Sequence, residues 1–190
     1  LSDRIEPAKH GDLQFIFSTD EELGSEEWLN AICDEVEISE HPTLVSTPPH
    51  ALATAIGERL SSATVREADE TTSEAAMRME STDVLVAAGA WAGLDTPIQW
   101  KTIVVPKVPY TGPKNLREFW YEDEEEFEGQ KADQLSSYIS SKNAAERRLI
   151  QVFGRGLRRP DSECSIVICD ARIERFSKIA PKRFQKAYFE

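Results

Sequence analysis

The chain has 190 residues, 40% of them hydrophobic and 29% charged, the balance of one globular domain with its own core rather than of a disordered tail. No apolar run approaches the roughly 18 residues of a membrane-spanning helix, and the polar opening LSDRIEPAKHGD lacks a signal-peptide core, so the chain reads as soluble and cytoplasmic, without a membrane partner. The net charge of −12 argues against a protein that coats nucleic acid nonspecifically, but much of the excess acid lies in 20–40 and in Glu122-Asp-Glu-Glu-Glu126, so it does not set the sign of any one groove.

Leu1 in place of a start methionine is expected of a processed or excised chain. In chain order, Phe15-Ile16-Phe17 is the first candidate strand. Ser25 offers a helix N-cap ahead of Glu26-Glu27-Trp28-Leu29, with Ile32 and Val36 continuing the apolar face. Thr43-Leu-Val-Ser46 is the second strand, ended by Thr47-Pro48-Pro49. A helix over His50–Leu60 follows, with Leu52, Ile56 and Leu60 four residues apart. Thr64-Val65-Arg66 is a third strand, and Ser73–Met79 a short helix. Val84–Ala88 and Thr102–Val105 are continuously apolar and rich in β-branched residues, as strands covered on both faces are. A long helix is expected from Asp133 to about Arg158, a last strand over Ser165–Cys169, and a closing helix over Pro181–Phe189.

Strands alternating with helices give the α/β class: a mostly parallel sheet with helices on both faces. Such folds bind ligands at the carboxyl ends of their strands. One domain over 1–190 is expected, with a leading strand and helix in 1–40, a core over 41–190 and an acidic insertion loop over 114–130. Cys33, Cys164 and Cys169, like His10, His41 and His50, show no ligand spacing, so no metal site is expected. An odd offset puts Cys164 and Cys169 on opposite faces of their strand.

Two strand-end segments carry chemistry. Gly89-Ala-Trp91-Ala-Gly93-Leu-Asp95-Thr-Pro97 follows the strand Val84–Ala88. Its glycines permit a sharp turn or close approach to a ligand, and Asp95 can accept a hydrogen bond from a sugar hydroxyl; a plain turn with a self-capping Asp reads the same residues. In Gln151-Val-Phe-Gly154-Arg155-Gly156-Leu-Arg158, the positions of Gln151, Arg155 and Arg158 put an amide and two guanidiniums on one helical face. Gly154 and Gly156 each cost about 1 kcal/mol in a helix relative to alanine, which suggests that the backbone needs room there. Arginine suits phosphate through its planar, permanently charged fork; a surface helix ending in solvated arginines is the plainer alternative.

Gln151-x-x-Gly154-Arg155-x-x-Arg158 resembles helicase motif VI, and Trp91-x-Gly93-x-Asp95 resembles motif V of the DinG/XPD branch of superfamily 2 helicases. Lys107-Val-Pro109-Tyr110, Asp170-Ala-Arg172 and Ala180-Pro181-Lys-Arg183-Phe184 resemble later segments of that branch, and Leu44-Val-Ser46-Thr47 stands where motif IV belongs. The matches follow the family's order. The resemblance implies a RecA-like P-loop-NTPase fold and the second, C-terminal lobe of an ATP-dependent DNA helicase. Arg155 and Arg158 would act on the γ-phosphate and Gln151 would position the attacking water. Gly93, Asp95 and Gly154 would meet the nucleotide, and Ser46, Thr47 and Trp91 would face single-stranded or forked DNA. ATP and Mg²⁺ would be held mainly by an N-terminal lobe of the same polypeptide, with no iron–sulfur cluster in this part. None of the nine glycines precedes a lysine, so no Walker A loop occurs and the chain alone is expected to be inactive. Ala92 stands where the branch has Glu, and with the acidic surface it keeps open a non-catalytic RecA-like protein-interaction module; a motor acting on something other than DNA is a third reading.

Overall fold

The computed structural model describes residues 12–17, 21–79, 83–110, 130–156 and 163–173. The closing helix expected over 181–189, nearly all of the acidic loop and Arg158 lie outside them. Strands β1 (Asp12–Phe17), β2 (Thr43–Thr47), β3 (Thr64–Val65), β4 (Val84–Ala88), β5 (Thr102–Val105) and β6 (Glu163–Ile168) form one sheet in the order β1-β6-β5-β2-β4-β3. Every pairing is parallel, so every connection returns across the sheet and all the strand exits share one edge. The α/β class read from the sequence is the class observed.

The helices are α1 (Glu26–Ile38), α2 (His50–Gly57), α3 (Thr72–Met77) and α4 (Gln130–Gly156). They cover both faces. Trp28, Ile32 and Val36 of α1 and Ala53 and Ile56 of α2 pack with Val45, Val86, Val104 and Val167. On the opposite face Ala75 and Ala76 of α3 and Ala145, Leu149, Val152 and Phe153 of α4 pack with Leu44, Leu85, Ile103 and Ile166. Alternate residues of β2, β4, β5 and β6 feed opposite cores, which is why these strands read as largely apolar runs. Cys164 joins the α4 side and Cys169 the α1 side, as their offset requires. Among the described residues no helix is long and apolar enough to cross a membrane.

Local chemistry fixes the helix starts. The Ser25 side chain accepts the Trp28 N–H at 3.0 Å, a cap of the kind whose loss costs about 1 kcal/mol. The Trp28 indole N–H then donates to the Cys169 carbonyl at 2.6 Å, pinning α1 to the end of β6. Thr71 and Glu74 form a reciprocal capping box on α3, which begins one residue earlier than the sequence suggests. Helix α2 stops at Gly57 instead of reaching Leu60, although Leu52 and Leu60 still pack on the core that Ile56 enters.

Candidate functional site

The exits of β2, β4, β5 and β6 lie side by side along one sheet edge. After β4 the chain turns at once: the Gly89 N–H donates to the Thr47 carbonyl at 2.9 Å and the Ala92 N–H to the Gly89 carbonyl at 3.1 Å. Gly89 and Gly93 have φ of 73° and 68°, the left-handed region in which a side chain is strained. The turn hangs on buried Ala90 and Leu94, leaves Ala92, Gly93 and Asp95 exposed, and holds Trp91 half-buried. Ser73, the second residue of α3, braces it from the side: its hydroxyl accepts the Asp95 N–H at 2.9 Å and donates to the Gly93 carbonyl at 3.0 Å.

Helix α4 reaches this turn with two arginines. The Arg155 guanidinium donates to the Leu94 carbonyl and, at 3.2 Å, to the Trp91 carbonyl. The helical arginine and the glycine-lined turn that the sequence set apart are therefore in direct contact. Seven residues earlier, Arg148 lies over the Trp91 ring, 5.0 Å from its centroid, and donates to the Pro109 carbonyl at 3.0 Å. Burial, with a smaller contribution from neighbouring Arg147, pulls its pKa below the usual guanidinium value. Arg148 was missed because the motif match begins at Gln151, yet its i, i+7 relation to Arg155 puts it on the same stripe.

The two helical glycines differ. A Cβ at Gly156 would come within 2.6 Å of Cys164 Sγ, whereas one at Gly154 would meet nothing within 4 Å. Gly156 thus lets the helix end settle on β6, and Gly154 leaves backbone open on an exposed face. Gln151 is exposed beside it, one turn from Arg155. Arg158 lies outside the described residues.

The exits of β5 and β6 are locked by Asp170, which is 1% exposed. Its carboxylate accepts the Val108 N–H at 2.7 Å, the Arg172 N–H at 3.0 Å and Arg172 Nη2 at 2.6 Å. The bonded carboxylate raises the Arg172 pKa, and Arg172 covers the Tyr110 ring at 5.4 Å. The D-x-R segment is thus a clamp between two strand-end loops.

At the exit of β2 the geometry departs from the expectation. Ser46 is 3% and Thr47 0% exposed, and the Thr47 hydroxyl donates to the Pro49 carbonyl at 3.2 Å. Both side chains point into covered faces of the sheet, so neither hydroxyl is presented to a strand here. Beside them Pro49 is exposed and Pro48 and His50 are half-buried. His50 Nε2 lies 3.4 Å from Arg66 Nη1, and that same nitrogen of Arg66 donates to the Ala88 carbonyl at 2.8 Å.

The family model described as the helicase C-terminal domain matches residues 36–188. The fold is similar to a solved XPD helicase (TM-score 0.64, 15% identity, 88% of this chain against 33% of that one). It is also similar to an apo XPD structure (0.62, 14%, 94% against 39%) and to the C-terminal domain of the DEAD-box protein Dbp5 (0.53, 11%, 96% against 88%). The chain thus spans between 33% and 39% of the two XPD chains. No curated protein sequence matches it significantly.

Proposed function

The chain belongs to the helicase C-terminal domain family, and from that premise we propose that it is the second RecA-like lobe of an ATP-dependent DNA helicase, completing an ATP site whose P-loop lies on an N-terminal lobe of the same polypeptide. The observation that carries the reading is the contact between Arg155 and the carbonyls of Trp91 and Leu94. It brings a phosphate-binding type of side chain to a glycine turn at the carboxyl end of a parallel sheet, where ligands of such folds bind.

ATP with Mg²⁺, when bound, supplies the triphosphate whose hydrolysis drives the cycle. This chain's residues fit one side of it. Arg155 and Arg158 would meet the γ-phosphate, and Gln151, exposed one turn away, would orient the attacking water. Gly154, open on its outer face, would let the phosphates approach the helix backbone, with Gly93 and Asp95 beside the nucleotide. None of the nine glycines precedes a lysine, so the nest of N–H groups and the lysine that hold β- and γ-phosphates would come from the other lobe, and the chain alone would not turn over ATP. Trp91 would face the single strand. With Ser46 and Thr47 buried, their part in strand binding would be to support the Pro49–His50 corner from within.

The test is ATP turnover of the full-length protein carrying Arg155→Ala or Arg158→Ala. Arginine fingers contribute about 10³–10⁵ in rate, so either variant should lose at least about 10³ while remaining folded, Arg155→Ala with a lower melting temperature because two turn carbonyls lose their donor. Turnover within about tenfold of wild type would remove that arginine from the mechanism. A net charge of −12 and Ala92 in the turn favour a second reading, a non-catalytic protein-interaction module; a wild-type full-length protein that neither hydrolyses ATP nor binds single-stranded DNA would decide for it.

A further inference from the structure

Arg148 has no part in the mechanism above, yet its setting is unusual for this chain. It is half-buried, and among the described residues no salt bridge joins it to a carboxylate, in a sequence with 34 acidic residues against 22 basic ones. Desolvating a cation without a counter-ion is unfavourable. What holds it is the face of Trp91, 5.0 Å from its centroid, and the Pro109 carbonyl at 3.0 Å. The guanidinium spreads its charge and its donors over a rigid fork that can serve both contacts from one position, whereas a lysine ammonium is a compact, more strongly hydrated point charge.

The two arginines of α4 bracket one residue. Arg155 holds the Trp91 backbone carbonyl and Arg148 the ring. The carbonyl bond does not set the side-chain torsions of the ring; its packing against the α4-side core and the Arg148 contact do. Both arginines ride on one helix, and a displacement of that helix moves both grips together.

We infer that Arg148 is a positioning residue: it fastens the Trp91 ring and the loop after β5 to α4, so that a movement begun at the nucleotide-facing part of the helix reaches the strand-facing indole. This rests on the proposed function, in which Arg155 meets the nucleotide and Trp91 the strand. It adds a residue outside both groups whose effect falls on nucleic-acid coupling rather than on ATP.

The experiment is single-strand-stimulated ATP turnover of the full-length protein, titrated separately in ATP and in oligo-dT. Arg148→Ala should raise the oligo-dT concentration for half-maximal stimulation about tenfold, the scale of a lost cation–π contact, with the KM for ATP held within about twofold. Trp91→Ala should raise it by at least as much, and the double variant should be no worse than Trp91→Ala alone, because Arg148 acts through Trp91. Arg148→Lys should recover only part of the coupling, and it decides the matter if Arg148→Ala does not fold. An unchanged oligo-dT requirement in the folded Arg148 variants, an equal shift in the KM for ATP, or multiplying effects in the double variant would overturn the inference. If Arg155→Ala retains turnover, or oligo-dT fails to stimulate the wild type, the proposed function falls and takes this inference with it. If Arg155→Ala loses turnover and oligo-dT stimulates the wild type while Arg148 is silent, the inference falls alone.

Discussion

Replacing Asp170 by alanine isolates the clamp between the β5 and β6 exits. The carboxylate accepts two backbone N–H groups and the Arg172 side chain, and its side chain is 0% exposed, against 44% for Arg172. Removing it strands the N–H of Val108, a residue only 1% exposed, at a cost of about 1–3 kcal/mol. The Arg172 contribution must be discounted, because its half-exposed guanidinium can regain water and exposed pairs are worth about 0–1 kcal/mol. The total is about 3 kcal/mol, at the lower edge of the 3–5 kcal/mol typical of broken buried pairs. With a urea slope of about 2 kcal/mol per molar, the unfolding midpoint of the 190-residue chain should fall by about 1.5 M with the slope unchanged. Arg172→Ala should cost less than Asp170→Ala, since Asp170 would keep both N–H donors. A midpoint shift for Asp170→Ala under about 0.5 M, or a larger loss for Arg172→Ala, would refute the view that the buried acceptor is what matters.

Gly156→Ala should destabilise the chain and Gly154→Ala should not: the added Cβ at 156 meets Cys164 Sγ at 2.6 Å while that at 154 meets nothing within 4 Å. Overpacking of about 1–3 kcal/mol outweighs the helical gain of about 1 kcal/mol at Gly156 and is absent at Gly154, so melting temperatures in the reverse order would contradict the packing. Burial raises Cys164 and Cys169 from 9.0 to about 12. Because these folded pKa values lie above the unfolded ones, their stabilisation is complete below pH 9.0 and is lost as pH rises from there toward about 12, by up to about 1.4 kcal/mol per pH unit for each thiol. Urea midpoints across that range should therefore fall more steeply for the wild type than for Cys164→Ala/Cys169→Ala; parallel curves would count against buried neutral thiols.

How much of this was legible varies with the physical cause. Strands β4 and β5 could be read to their ends because both faces of each are covered, and double burial writes itself as an unbroken apolar run. The same double coverage buries the side chains of Ser46 and Thr47, which the resemblance to motif IV sets among the strand-facing residues but whose burial no local pattern announces. One side chain falls on the α4 face and the other on the α1 face, and neither face is open. Arg155 and the turn were each legible as segments, because helical spacing and strand-end position are local facts, while their contact, 61 positions apart at Leu94, is set by the topology. Arg148, Ser73 and the lock at Asp170 depend on which loops the topology sets side by side. Trp91 and Arg148 are 57 positions apart in the sequence, and no periodicity within either segment announces their contact. The cap at Ser25 was legible from the chain, whereas the reciprocal Thr71–Glu74 box was overlooked although its S/T-x-x-E spacing is itself a sequence signal.

The part of the chain's acidity that lies in α1 acquires a location once the layers are known. Helix α1 carries Glu26, Glu27, Asp34, Glu35 and Glu37 and no basic residue, and it lies on the valine-lined face of the sheet. The end of α4 lies on the opposite face; from residue 140 to its end it carries Lys142, Arg147, Arg148 and Arg155 against Glu146 alone. Helices on opposite faces of one sheet stand roughly 20 Å apart, twice the spacing of packed layers. The Debye length at physiological salt is about 8 Å, so the exposed acids of α1 are largely screened from an anion approaching α4. A chain with a net charge of −12 can therefore present a cationic helix end to a polyphosphate without contradiction from α1, because the sheet separates that acidic helix from the arginines of α4.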